Sequence, residues 1–221
     1  MYKALMYKEW LKVRRTYFAL AVLSLLALIY IAVNLAHDIE FNTAKGMWGF
    51  IIYQKYPFFE DIKYIILASG IVLAIVQFAP EMGSDRLKLT LHLPVEEKKL
   101  LLQLISAGAL YLVSLYALDI AAILIISGAH FSSEFSSSAI MTMLPWLFAG
   151  FTSYFAISAV IVEPIWPRRI ELLVLFIGYL FFFDIPLDYS SGALILFLII
   201  SAFFPLFILI SGYHFKRGIK S

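Results

Sequence analysis

The chain has 221 residues, of which 62% are hydrophobic and 14% charged, with a formal net charge of +2 and a mean hydropathy of +0.90. A soluble domain is roughly 45–50% apolar and about 25% charged, so these values exclude water as the main solvent of the folded surface. The absence of cysteine excludes disulfides, thiolate zinc sites, iron–sulfur clusters and thiol nucleophiles.

The first element is a basic segment, residues 1–16. On a helix, Tyr2, Met6, Trp10, Val13 and Tyr17 fall on one stripe, while Lys3, Lys8, Lys12, Arg14 and Arg15 lie mostly off it. This pattern predicts an amphipathic helix at the headgroup level. It is either a plain positive-inside anchor or an elbow that packs against the ends of other spans. The apolar run 17–36 follows and is long enough to cross about 30 Å of hydrocarbon. It exceeds the ~7–15-residue core of a signal peptide and lacks a clean small-x-small cleavage site, so it reads as a retained first span.

Five more apolar runs qualify as spans, at 62–79, 100–127, 139–162, 170–187 and 192–213. The fifth has the shortest uninterrupted core, residues 172–183, and can tilt, thin the bilayer or break near Pro186. Between the first two spans, residues 37–61 carry Trp48, Tyr53, Tyr56 and Phe58, which suits a short helix lying at the outer surface. Lysine and arginine then orient the set. Fourteen of the 17 lie before the first span, in 80–99, at Arg168 and Arg169, and in the tail; Lys45, Lys55 and Lys63 lie on the other side. The rich side is cytoplasmic by the positive-inside rule, and so are both termini.

The loop 80–99 reads PEMGSDRLKLTLHLPVEEKK. Leu87, Leu89, Leu91 and Leu93 alternate with polar residues, a strand pattern, but an isolated strand is not stable in water. Leu87 and Leu91 are also helix neighbours at i, i+4, with Ser84 or Asp85 available as an N-cap. Pro94 then opens the next helix, with Glu96 and Glu97 in its first turn. Exposed leucines in such a segment need a partner surface.

A basic amphipathic start, followed by a second-to-third loop of form E-x-G…L-x-x-L-x-L-P on Glu81, Gly83, Leu87, Leu91, Leu93 and Pro94, resembles the permease subunits of ABC-2-type transporters. The resemblance covers the whole chain. It implies a coupling helix that docks into a groove of a separate ATPase subunit, with Glu81, Gly83, Asp85, Arg86, Leu87, Leu91 and Pro94 at that interface. It further implies an exporter of the bacterial cytoplasmic (inner) membrane, formed by two copies or by one copy with a related permease. The family usually has Gly-Thr before the leucines and a small or basic residue after the proline; here Gly83-Ser84 and Val95-Glu96 stand instead. The family's outer re-entrant helices between spans five and six are absent or very short.

Asp119 is the one carboxylate deep in an apolar run. A charge there costs at least ~2.5–3.5 kcal/mol on insertion scales. It either lines a substrate path or dimer seam, or pairs locally with a Tyr or Ser hydroxyl or with Lys63. Gln77 and Asn34 suit packing hydrogen bonds. No phosphate-binding loop, H-E-x-x-H or G-x-S-x-G is present. His37, His92, His130 and His214 are scattered and make no metal set. No catalytic residue, cofactor or nucleic-acid partner is expected, and ATP hydrolysis is assigned to another polypeptide. The sequence therefore predicts an all-α membrane protein: six transmembrane helices with an N-terminal amphipathic elbow helix and a cytoplasmic coupling helix, in one domain. A scaffold or assembly subunit is the alternative. A secondary transporter would want several buried ionisable residues and an internal repeat.

Overall fold

The computed structural model describes residues 2–54, 61–83, 97–131, 133–181 and 191–217. Every described element is an α-helix: α1 (Tyr2–Gln54), α2 (Ile62–Gly83), α3 (Glu97–His130), α4 (Ser133–Val162), α5 (Trp166–Phe181) and α6 (Ser191–Arg217). Five of them contain stretches long and apolar enough to cross a membrane: Lys3–Glu40, Ile62–Gly83, Lys98–Ala129, Ala139–Val162 and Leu198–Phe215. The described part of α5 has 16 residues, short of the roughly 20 that a span needs. The expected span 170–187 continues into residues outside those described.

Burial repeats at the helical period. In α2 the buried set is Ile62, Ile66, Ser69, Gly70, Leu73, Ala74, Gln77, Phe78 and Glu81, one stripe at i, i+4, i+7 and i+8. On α1, Val13, Leu20, Leu28, Ile31 and Leu35 are buried, while Phe18, Val22, Leu25, Ile29 and Val33 are exposed. Such exposed apolar faces are stable only in lipid or against a partner. Helix α4 sits at the centre: it packs on α2, α3, α5 and α6. Its most apolar window is 61% buried, against 28% for those of α1 and α3.

A close backbone approach joins α2 to α4. A Cβ added at Gly70 would overlap the Gly150 carbonyl oxygen, so the missing side chains are what lets these helices meet. Helix α4 ends at Val162, ahead of Pro164, and α5 opens with Trp166-Pro167. Proline biases the residue before it away from the helical region and is well placed in a first turn. At the end of α3 the Phe131 amide donates to the Ser127 carbonyl (2.8 Å), which extends the last helical turn.

Two expectations about α1 change. Residues 2–16 are not a separate elbow; they are the first turns of a helix that continues unbroken to Gln54. Their aromatic face packs on protein: the Trp10 ring lies 5.4 Å from Tyr111 and 5.5 Å from Tyr17, and the Tyr111 hydroxyl donates to the Met6 carbonyl (3.3 Å). The stretch 37–54 is likewise a continuation of α1. Hydropathy marks the lipid-immersed portion of a helix, whereas backbone hydrogen bonding does not stop at the headgroups.

Candidate functional site

The starts of α1, α3 and α5 and the ends of α2, α4 and α6 gather at one end of the bundle, here called the basic end. Charged side chains are buried there. Glu9 of α1 is fully buried and Glu81, two residues before the end of α2, is 3% exposed. Lys8 Nζ and Lys12 Nζ lie 3.0 and 2.9 Å from the same Glu81 oxygen, Oε1. Lys12 also lies 2.8 Å from Glu9 Oε1, as an ion contact rather than an aligned hydrogen bond, and donates to the Gln77 carbonyl (3.3 Å). Two ammonium groups thus balance two carboxylates. Among the described residues, both carboxylate oxygens of Glu9 and Oε2 of Glu81 have no hydrogen-bond partner. The negative end of the α2 dipole adds to the attraction for both lysines. The set forms a latch that ties the start of α1 to the last turn of α2.

A neutral network continues inward from the latch. Gln77 donates through Nε2 to the Leu104 carbonyl (2.8 Å) and accepts from the Tyr154 hydroxyl (2.8 Å), which joins α2, α3 and α4. A Cβ on Gly108 would overlap that hydroxyl, so glycine at 108 leaves it space. Two further hydroxyl nodes lie deeper. Ser69 and Tyr116 meet at 3.0 Å, and Tyr116 donates to the Ile66 carbonyl. Thr152, Tyr179 and Ser201 link α4, α5 and α6. Among the described residues no three metal-ligating side chains converge. This arrangement fixes helices against each other.

A profile of the family described as ABC-2 family transporter protein matches residues 5–186. The chain belongs to the ABC-2 transporter family. It is therefore a multi-pass membrane permease component of an ABC transporter, and membership implies association with an ABC ATPase and with the bilayer. No curated protein and no solved structure matches it.

In this ABC-2 chain the residues singled out for coupling divide into two groups. Glu81 is held inside the chain by Lys8 and Lys12. Gly83 ends α2, exposed, with open space where a Cβ would stand. Asp85, Arg86, Leu87, Leu91 and Pro94 lie outside the described residues. Asp119 is 2% exposed and accepts a hydrogen bond from Ser24 of α1, one of the local pairings expected of it. Lys63 instead stands over the rings of Tyr64 and Trp146, 5.0 and 5.2 Å from their centroids. Gln77 makes the packing bonds expected of it, whereas Asn34 is exposed.

Sequence reasoning missed the latch. Glu9 went unremarked, and Lys8 and Lys12 read as headgroup contacts. The available signal was spacing: Glu9 stands one turn before Lys12 and beside Lys8, a charge set too dense for a plain anchor. The cluster at the start of α5 was also only partly legible. Glu163 is 2% exposed; its carboxylate accepts from the Ile165 amide and stands 3.3 Å from His214 Nδ1, while Arg168 lies 2.8 Å from the same ring.

Proposed function

We propose that this ABC-2 chain is the permease subunit of an ATP-driven exporter, coupled through residues 80–99 to separate ATPase subunits. Two copies, or one copy with a related permease, form the pathway in the bacterial inner membrane, with the basic end and both termini in the cytoplasm. The chain itself is not an enzyme; hydrolysis belongs to the partner.

The observation that carries this reading is the latch. The segment 84–96 joins the end of α2 to the start of α3 at the basic end, and Glu81, three residues before it, is tied by two lysines to α1. A push on that segment is delivered to three helices at once, because α1 also packs on α3 through Trp10 and Tyr111. Leu87 and Leu91 supply the contact; fully burying each in a partner groove is worth roughly 1.5–3 kcal/mol. The 14-to-3 partition of Lys and Arg supports the orientation.

The test is to purify the tagged chain from its native membrane and to assay ATP hydrolysis of the product in liposomes. An ABC ATPase should accompany the chain, with hydrolysis that depends on it. A chain isolated repeatedly without a nucleotide-hydrolysing partner would favour the scaffold reading.

A further inference from the structure

A groove of about 440 Å³ opens at the basic end, between the end of α2, the end of α4 and the start of α5. Met82, Val160, Ile161 and Leu173 give it apolar walls, and Trp166 and Arg169 add a ring and a cation. Arg169 is fixed in place: its Nε donates to the Glu163 carbonyl, and its guanidinium lies 5.8 Å from the Trp166 ring centroid. Arg168 stands next to it, exposed and turned to His214. The neighbouring acid, Glu163, is buried and already engaged by the Ile165 amide and the His214 ring.

From this groove an apolar stripe runs along α5. Trp166, Ile170, Val174, Ile177 and Phe181 repeat at i, i+4, i+8, i+11 and i+15, and all are exposed. Arginine suits phosphate oxygens through its planar fork. Tryptophan favours the headgroup level, and basic pockets between membrane helices hold acidic headgroups.

We propose that the groove holds an anionic phospholipid, its phosphate on Arg169 and an acyl chain along the α5 stripe. A soluble phosphate would engage the guanidinium alone and leave the apolar walls unused. A zwitterionic lipid would fill the walls but bring no net charge to the arginine. An acidic headgroup with acyl chains matches both halves of the site. This reading does not depend on the coupling role of residues 80–99.

The experiment uses the full chain, purified in detergent and stripped of lipid. It is titrated with phosphatidylglycerol, phosphatidylcholine or inorganic phosphate, and bound species are counted by native mass spectrometry. Phosphatidylglycerol should bind roughly fivefold more tightly than phosphatidylcholine, the ratio that one arginine near an acidic headgroup supplies. Arg169→Gln should abolish that preference and Arg169→Lys should keep most of it. Ala79→Trp, which fills the groove from an exposed position, should lower phosphatidylglycerol binding and leave Tm unchanged. If Arg169→Gln does not fold, Ala79→Trp decides alone. Equal binding of the two lipids, a preference that survives these variants, or displacement of phosphatidylglycerol by millimolar inorganic phosphate would overturn the proposal.

Discussion

Glu81 carries two partners on one oxygen, and its loss leaves two cations facing a low-dielectric interior. Breaking a buried pair costs about 3–5 kcal/mol. Lys8 is 43% exposed and regains water, so the lower end applies, about 3 kcal/mol for Glu81→Ala. Glu9→Gln should cost much less, since among the described residues Lys12 is its one ion contact and neither of its oxygens has a hydrogen-bond partner. Thermal unfolding in detergent should therefore rank the variants wild type, Glu9→Gln, Glu81→Ala in falling Tm; the reverse order would mean that Glu9 is the anchor. Asp119 makes a milder case. Asp119→Asn keeps an acceptor for Ser24 and should fold and assemble normally. Asp119→Leu should cost about 0.6 kcal/mol, the average for hydrogen bonds between membrane helices. ATP-driven transport that survives Asp119→Leu would remove this residue from any substrate path. Polar residues inside spans were legible as hydrogen-bonding groups because a lone amide or carboxylate in an apolar run has few alternatives. Their partners were not: Lys12 and Glu81 stand 69 residues apart, and no local period links them.

At the scale of elements, the α2–α4 contact decides how tightly the bundle closes. Gly70→Ala would drive a methyl group into the Gly150 carbonyl oxygen, a backbone atom that cannot step aside by a rotamer change. Overpacking of this kind costs typically 1–3 kcal/mol. Gly178→Ala on α5 adds a methyl group to open space and removes a poor helix former, worth at most about 1 kcal/mol. Gly70→Ala should lower Tm and yield, and Gly178→Ala should hold or raise them; equal Tm for both would mean that α2 and α4 do not meet at this crossing. The helices themselves were readable from hydropathy, and the apolar stretches of α2, α3, α4 and α6 overlap the expected spans. The ends were less readable. Helix α1 extends past its span at both ends, because lipid selects apolar residues only where it touches them.

For the whole molecule, the proposed orientation puts four basic segments on one side of the bilayer. The described helices alternate in direction from the basic end, in keeping with that arrangement. Reporter tags at Ser221 and within residues 83–99 should read cytoplasmic, and tags near Trp48 and Ser136 external; a cytoplasmic signal at Ser136 would break the six-span topology. Class and family were legible because composition and the Glu81-to-Pro94 pattern are carried by the chain itself. Substrate and pathway were not, since in the proposed assembly they belong to surfaces shared between subunits. The most direct measurement is ATPase co-purification with Leu87→Asp and Leu91→Asp, each normalised to its level in the membrane. A carboxylate forced into an apolar groove carries a desolvation penalty of several kcal/mol. Both variants should therefore insert normally and lose the ATPase or its coupled turnover. Full ATPase binding and turnover in both would contradict the assignment of residues 80–99 as the coupling element.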